Sequence, residues 1–181
     1  MTKQEKKFEK LLNCFKSKDA ARPHLMNAVV KEGNLYATDG YQLIEISDYF
    51  SKKNGVYING TIFDAAETVN DYPDFKQVIP DYSNVGKILE INFDFIKKIK
   101  AKKSTQVYVD SNGTVSFSAN NNTVFSIDLH CLEFLNYVED DLTKIKIVYK
   151  DSTKPIRFLI SVKYIPSDKT TVIVMPMRVK Q

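Results

Sequence analysis

The side chains that most often carry out catalysis are few in this 181-residue sequence, and they stand far apart. The histidines His24 and His130 have no nucleophilic side chain at a spacing typical of a catalytic site, so each is predicted to be structural or incidental. The sequence contains no glycine-rich phosphate loop, no Cys-x-x-Cys and no His-x-x-x-His pattern. The acidic run at 139–141 is typical of a solvated turn at a helix end. We therefore expect a protein that is not an enzyme, with no catalytic residues, no metal site and no cofactor.

The C-terminal segment offers chemistry for binding instead. The β-branched run that begins at Thr170 predicts a strand with both faces buried. Pro176, which stands between Met175 and Met177, cannot donate a ladder hydrogen bond, so the chain there lies at a sheet edge or leaves the sheet. Methionine side chains are flexible and polarizable, which suits an adaptable peptide-binding surface. The alternative interpretation is a terminal core strand that frays.

Composition and charge narrow the class of protein. Apolar residues make up 43% and charged residues 27% of the sequence, which is ordinary for a globular protein of one domain or two small ones. Residues 1–80 hold 11 Lys or Arg and 11 Asp or Glu, so the net charge of +4 belongs to the second part and permits weak attraction to a polyanion. Cys14 and Cys131 are predicted to be reduced core residues. The sequence shows no signal peptide and no membrane span, so we expect a cytoplasmic protein.

The first element is predicted to be an amphipathic helix. Its apolar side chains recur at i, i+3, i+4 and i+7 from Phe8 to Phe15, which gives one buried stripe. The opposite side carries lysines that are either an ordinary solvated face or a surface that follows DNA phosphates. These lysines are Lys3, Lys6, Lys7 and Lys10.

Short strands separated by turn residues follow this helix. Asp39-Gly40 between apolar runs predicts a two-residue hairpin turn. Thr61 is the predicted N-cap of a helix over 62–69. The segment 71–80 is bounded by two prolines and predicts an extended connector that is neither regular helix nor central strand. This connector divides the chain into a predicted unit at 1–80 and another at 81–181.

The second part repeats the plan of the first. A helix with outward-facing lysines is predicted over 94–103, and strands and a short helix near Leu132 and Leu135 follow it. The order "helix, then three antiparallel strands" thus occurs near 5–46, 94–129 and 131–175. This order predicts an α+β fold with helices on one face of antiparallel sheet. The outward lysines of the second helix are Lys97, Lys98, Lys100, Lys102 and Lys103.

Three segments resemble the bacterial DNA polymerase III β subunit, the sliding clamp. Residues 37–43, Ala-Thr-Asp-Gly-Tyr-Gln-Leu, resemble the family's A-T-D-G-H-R-L stretch. Residues 72–80 resemble the F-P-D-Y-R-R-V-L/I-P connector between the family's second and third domains. Residues 174–179, Val-Met-Pro-Met-Arg-Val, are similar to the V-M-P-M-R-L that closes the family's chains. All three segments occur in the family's order.

This resemblance implies a DNA-clamp-like fold and a binding function. In the family the three segments converge on a hydrophobic pocket that takes the short Gln/Leu/Phe-bearing motif of polymerases, the clamp loader and repair proteins. The family's repeated helices carry their lysines towards duplex DNA without reading its sequence, so the lysines of both predicted helices are expected to face DNA. Gln42 and Arg178 are expected at the pocket rim. The pocket positions that match are Thr38, Gly40, Tyr41, Gln42, Leu43, Pro73, Gln77, Val78, Val174, Met175, Pro176, Met177 and Arg178.

The sequence also departs from the family. Family members have three domains and dimerise into a closed ring, whereas this chain has room for the C-terminal domain at 81–181 and a shortened middle-domain unit. Tyr41 and Gln42 stand where the family has His and Arg, and Gln77 replaces a basic residue. The expected protein is a miniature clamp-like processivity factor, similar to those of a phage or mobile element, that docks peptide motifs and slides on DNA if it forms a homo-oligomer. The alternatives are a clamp-like binding module or decoy that does not encircle DNA, and an enzyme or unrelated α+β domain with chance matches.

Overall fold

Antiparallel strands make up most of the computed structural model, which describes residues 2–49, 54–84, 86–92, 107–119, 122–137, 144–160 and 170–176. The α-helices are α1 (Lys3–Asn13), α2 (Ala66–Asp71) and α3 (Phe75–Val78), and 3₁₀ helices span Pro23–Met26 and Leu129–Tyr137. The strands are β1 (Ala28–Lys31), β2 (Asn34–Thr38), β3 (Gln42–Ile46), β4 (Gly55–Ile58), β5 (Thr61–Phe63), β6 (Lys87–Asn92), β7 (Val107–Val109), β8 (Thr114–Ala119), β9 (Asn122–Asp128), β10 (Lys144–Tyr149), β11 (Ile156–Ile160) and β12 (Thr170–Val174).

A nine-stranded antiparallel sheet extends through both parts of the chain. Its strand order is β5-β4-β1-β2-β3-β12-β11-β10-β6, and a second sheet has the order β7-β8-β9. Strands β3 and β12 join the two parts, with Leu43 opposite Ile173 and Gln42 opposite Val174. The division into units at 1–80 and 81–181 stays a prediction, because one continuous sheet crosses that boundary.

The larger core lies between the nine-stranded sheet, α1, the second sheet and the 3₁₀ helix at 129–137. The predicted stripe of α1 is confirmed, since Leu11, Leu12 and Phe15 are fully buried. The ring centroids of Phe15 and of Phe134, which lies in the 3₁₀ helix at 129–137, are 5.7 Å apart. A capping box begins α1, because the Thr2 hydroxyl accepts from Glu5 N at 3.2 Å and the Glu5 carboxylate accepts from Thr2 N at 2.6 Å. The predicted α+β class is confirmed.

A smaller core lies on the opposite face of the same sheet, under α2 and α3. Strand side chains alternate between faces, so Val30 belongs to the larger core whereas its neighbour Val29 belongs to the smaller one. The ring of Phe75 in α3 stacks on Tyr36 of β2, with centroids 4.1 Å apart and an interplanar angle of 10°. The segment around α2 and α3 is therefore docked on the sheet.

The predicted start of the helix over 62–69, with Thr61 as N-cap, is wrong, whereas its second half overlaps α2. Residues 61–63 form β5, and α2 begins at Ala66 with no side-chain cap at Ala65. The reason is the Asn59-Gly60 pair, whose positive φ angles of 48° and 85° close a two-residue hairpin between Ile58 and Thr61. Such a turn matches the twist of paired strands, so the chain after it continues as sheet.

Two other local predictions also need correction. The segment 71–80 is not extended throughout. It contains one helical turn, α3, in which the ring of Phe75 packs on Tyr36. The Asp39-Gly40 turn is not a two-residue hairpin: β2 ends at Thr38, β3 begins at Gln42, and Thr38 is paired with Leu43. A two-residue turn lies at 32–33, between paired Lys31 and Asn34. The helix predicted over 94–103 lies outside the described residues.

No helix among the residues described above is long and apolar enough to cross a membrane.

Candidate functional site

The turn between β2 and β3 is held by side chains of the first resembling segment. The Asp39 carboxylate accepts from the backbone N–H groups of Tyr41 at 2.8 Å and Gln42 at 2.9 Å. The Thr38 hydroxyl donates to the Gln42 carbonyl at 2.7 Å and accepts from Gly40 N at 3.0 Å. Gly40 adopts φ +95°, which L-residues with side chains rarely adopt. Each residue of Thr-Asp-Gly therefore has a role in the shape of this turn.

Gln42 is buried rather than at a rim, so the rim position expected for it is wrong. Its side chain is only 3% exposed and donates from Nε2 to the Cys14 carbonyl at 2.7 Å and to Asp39 Oδ2 at 3.2 Å. The Cys14 residue is the C-cap of α1, where free carbonyls need donors. Gln42 thus ties the end of α1 to the turn. Val174, opposite Gln42 in the register, also packs into the larger core and lines no surface.

The first and third resembling segments meet directly. Leu43 and Ile173 are paired across β3 and β12, and both are buried in the smaller core. Beyond the last strand residue, Met175 N donates to the Tyr41 carbonyl at 3.0 Å. The sheet pairing therefore continues past β12 and places Met175 beside Tyr41.

The connector at 71–80 also contacts the end of β2, through Tyr72. The Tyr72 hydroxyl accepts from Thr38 N at 3.3 Å and donates to the Asn27 carbonyl at 3.0 Å. Burial raises the pKa of this hydroxyl above its ordinary value, and the hydrogen bond with the Thr38 backbone opposes that rise. Tyr72 and Phe75 share the smaller core with Leu43 and Ile173. Three segments far apart in sequence thus enclose one cluster.

Exposed apolar side chains project around this cluster. Tyr41 is 64% exposed, Val78 is 40% exposed and Met175 is 42% exposed. Pro73 and Gln77 are also exposed. We call Tyr41, Val78 and Met175, with the prolines at 73 and 176, the junction surface; Leu43, also a predicted pocket residue, is buried beneath it. Of the other predicted pocket residues, Thr38 and Gly40 shape its turn, and Met177 and Arg178 lie outside the described residues.

An open cleft of about 440 Å³ adjoins the junction surface at Tyr41. The cleft is lined by the C-terminal end of α1, the loop that follows it, the turn at 39–41 and the 3₁₀ helix at 129–137. Arg22 forms one wall: its Nη1 donates to the Asp39 carbonyl at 3.2 Å, and its guanidinium lies 5.9 Å from the centre of the Tyr41 ring. Burial, and then the Glu133 carboxylate, raise the pKa of the Cys14 thiol in this cleft to about 11, while Lys18 lowers it.

Of the lysines predicted to face DNA, only those of α1 lie within the described residues. Lys3, Lys6, Lys7 and Lys10 are all exposed, on the side of the helix away from its buried stripe. Their contact with DNA stays a prediction. The predicted lysines of the second helix, Lys97, Lys98, Lys100, Lys102 and Lys103, lie outside the described residues. Within the described ranges, no group of three or more His, Cys, Asp or Glu side chains is placed to hold a metal ion.

Sequence reasoning missed three residues that build this region. Tyr72 and Phe75 anchor the connector, and their aromatic type in a proline-bounded segment was the available signal. Arg22 packs against the turn from 17 residues away. No local pattern marks Arg22, because its role depends on where the loop after α1 crosses the end of the sheet.

Comparison with known proteins identifies the fold. No protein-family model and no curated protein sequence matches the chain. Among solved structures, the DNA polymerase sliding clamp from Pseudomonas aeruginosa is similar over 97% of this chain, with a TM-score of 0.62 and 12% sequence identity. The C. crescentus β sliding clamp is similar over 97%, with a TM-score of 0.60 and 15% identity. The DNA polymerase III β subunit from Thermotoga maritima is similar over 97%, with a TM-score of 0.59 and 16% identity.

The matched region is only part of each clamp. This chain spans 64% of the length of each of those three proteins. The chain has the fold of a DNA polymerase III β sliding clamp.

Proposed function

We propose that this protein is a non-enzymatic, sliding-clamp-like accessory of DNA replication. Its junction surface would dock short peptide motifs carried by DNA polymerases or other replication proteins. The observation that supports this proposal best is the convergence of three distant segments on one apolar cluster, seen in the pairing of Leu43 with Ile173 and the hydrogen bond from Thr38 to Tyr72. The clamp fold supports this functional class.

The chemistry of the junction surface suits an apolar peptide. Tyr41, Val78 and Met175 present large apolar area to solvent at the margin of a buried cluster. Burying one Leu or Phe of a peptide against such side chains contributes roughly 1.5–3 kcal/mol. A thioether adapts to different partners, and the hydrogen-bonded turn at 38–42 keeps the surface in place without the peptide.

Contact with duplex DNA forms the second part of the proposal. Exposed lysines along α1 would neutralise phosphates without reading bases, so this binding would weaken as salt is raised. Encircling DNA would further require a closed homo-oligomer. The alternative function, a clamp-like binding module or decoy, needs only the junction surface, whose contacts described above all lie within one chain.

Fluorescence anisotropy with a labelled peptide that carries Gln, Leu and Phe tests the docking. We expect saturable binding by the natural chain and binding weaker by about tenfold in Met175→Ala or Tyr41→Ala, as for the loss of one anchor contact. Both side chains are largely exposed, so neither change should lower the thermal midpoint appreciably. The matched control is Ile88→Ala, which removes an apolar side chain 64% exposed on β6, at the far end of the sheet.

Two results would contradict the docking proposal. One is the absence of saturable binding by the natural chain. The other is an equal loss of affinity in Ile88→Ala and Met175→Ala, which would place the peptide elsewhere or indicate non-specific adhesion.

A further inference from the structure

Large apolar side chains are exposed at the β5 end of the nine-stranded sheet, next to α2. Phe63 is 51% exposed and lies opposite Val56, which is buried in the smaller core, so both project to the face of the sheet that carries α2. Ile58, two residues along β4 from Val56, is exposed on the same face. Met26 is also exposed, at the end of the 3₁₀ helix at 23–26, and α2 contacts both this helix and β4. Three elements thus bring exposed apolar side chains to the margin of one short helix.

Carboxylates flank these apolar side chains, and no cation among the described residues pairs with them. Asp64 follows β5 directly, and Glu67 and Asp71 belong to α2; all three are exposed. No Lys or Arg occurs from residue 54 to residue 75. Lys31 projects to the same face from the other end of β1, but within the described part of the chain it forms no ion pair with these carboxylates.

The stability of α2 does not explain its two carboxylates. Glu67 and Asp71 are four residues apart, so their like charges repel one another on one side of the helix. Asp71 lies in the last turn, where the helix dipole disfavours an acidic side chain and where α2 has no basic residue. A bound cation would relieve both repulsions. We call this surface the α2 corner, and its residues are Met26, Ile58, Phe63, Asp64, Glu67 and Asp71.

The α2 corner and the lysines of α1 lie on opposite faces of the sheet. Leu11 and Leu12 of α1 are buried in the larger core, whereas Val69 of α2 is buried in the smaller one. The α1 surface attracts phosphates, and the carboxylates of the α2 corner repel them. DNA is therefore excluded as the ligand of the α2 corner.

We propose that the α2 corner docks a basic segment of a partner protein, in which Lys or Arg residues flank one or two large apolar side chains. The apolar side chains of the segment pack on Met26, Ile58 and Phe63. Its cations pair with Glu67 and Asp71, so charge complementarity selects a basic segment over a neutral or acidic one. This surface is separate from the junction surface, and the inference does not depend on peptide docking there.

A second copy of this chain fits the α2 corner less well than such a segment. The lysine side of α1 could supply the cations. However, the apolar side chains of that helix, Leu11, Leu12 and Phe15, are fully buried and cannot cover Phe63 of another copy. The occupant that satisfies both the charge and the apolar side chains is a basic segment with apolar side chains of its own.

Anisotropy with three short labelled peptides tests this surface in the full chain. The first peptide consists of Lys, Ala and Leu, with the leucines on one side of a helix. The second has Glu in place of Lys, and the third has Ala in place of Leu. We expect the first to bind saturably, about fivefold or more tighter than the second and about tenfold tighter than the third, as for two exposed ion pairs and one apolar anchor. Raised salt should weaken this binding.

Two variants of the α2 corner separate the charge from the apolar contact. Glu67→Gln/Asp71→Asn should weaken binding of the Lys/Leu peptide about fivefold without lowering the thermal midpoint, because the repulsion within α2 is removed. Phe63→Ala should weaken it about tenfold, and its exposed side chain makes a large loss of stability unexpected.

The matched controls lie at the opposite end of the sheet. Glu90→Gln/Asp151→Asn removes the same charge from exposed positions on β6 and in the turn before β11, and Ile88→Ala removes an exposed apolar side chain from β6. Both should bind the Lys/Leu peptide as the natural chain does. An equal loss of affinity in the controls and in the α2 variants would overturn the inference, as would the absence of saturable binding by the natural chain.

Three further outcomes would also overturn it. Equal binding of the Lys and Glu peptides would show that charge does not select the ligand. Loss of Lys/Leu binding in Met175→Ala would place the peptide on the junction surface. Self-association of the natural chain, seen by light scattering and abolished by Glu67→Gln/Asp71→Asn without any peptide binding, would make a second copy the occupant. None of these outcomes bears on docking of the Gln/Leu/Phe peptide, which is measured separately.

Discussion

At the scale of single residues, Gly40 shows how the turn at 38–42 constrains the junction surface. Its φ of +95° lies in the left-handed range, and a Cβ built there would lie 2.8 Å from Arg22 Nη1. A side chain at this position would therefore strain the backbone and displace the guanidinium that packs over Tyr41. The glycine keeps two adjacent features, the turn and the Arg22 wall, compatible with one another.

The first prediction concerns Gly40→Ala. We expect a loss of about 1–2 kcal/mol in the free energy of unfolding, because an L-residue is strained at this φ. We also expect weaker peptide binding, because Arg22 must move away from the Tyr41 ring. Urea unfolding followed by anisotropy measures both effects.

Gly60→Ala is the matched control for this change. Gly60 has φ +85° and nothing within 4 Å of a built Cβ, so its substitution adds backbone strain without a steric contact. A similar loss of stability with unchanged peptide affinity is expected. Peptide affinity in Gly40→Ala equal to that of the natural chain would show that the Arg22 wall plays no part in docking.

At the scale of elements, the connector is the part of the site that depends least on sheet hydrogen bonds. Its helices α2 and α3 have six and four residues, too short to be stable alone. Their position follows from side chains that pack on the sheet, above all Phe75 on Tyr36 and the hydrogen bonds of Tyr72. The connector side of the junction surface is therefore held by a few aromatic contacts.

The second prediction follows for Phe75→Ala. Phe75 is 4% exposed, and losing a buried aromatic ring costs on the order of 3–5 kcal/mol where the site cannot relax. Because the connector can detach locally, we expect faster amide hydrogen exchange at 66–78 with little change in β10 and β11. Peptide binding should weaken as Val78 loses its fixed position.

Phe158→Ala provides the comparison within the larger core. Phe158 is fully buried on β11 and contacts Phe134 edge to face at 5.8 Å. Its loss should lower the stability of the whole sheet and increase exchange across β10, β11 and β12. If Phe75→Ala produced that same global pattern, the connector would be an integral part of the core rather than a separately docked segment.

Most of the helices and strands can be predicted from the sequence, but their long-range partners cannot. The stripe from Phe8 to Phe15 predicted α1 because helical periodicity is a local signal. The three clamp-like segments also indicated which residues would converge. Gln42 was misplaced because its burial depends on a carbonyl at the end of α1, 28 residues away. The helix predicted to begin after Thr61 begins later, at Ala66, because the Asn59-Gly60 turn continues the chain as strand β5 first.

At the scale of the whole molecule, the sheet leaves edges that bear on assembly. Strands β5 and β6 are its terminal strands, and each is paired on one side only among the described residues. Such edges can pair with another chain and extend the sheet. A closed ring of copies would use both edges, whereas a monomeric binding module would use neither.

The third prediction tests closure of a ring around DNA. If the protein encircles DNA, light scattering at high protein concentration should give one discrete symmetric oligomer. Protein placed on circular duplex DNA should then remain bound at raised salt, because a topological link does not depend on phosphate contacts that salt weakens. Cutting the same circle once should release it. A strict monomer, or equal loss from circular and cut DNA, would contradict encirclement and leave the clamp-like binding module as the function, because peptide docking at Tyr41 and Met175 requires only one chain.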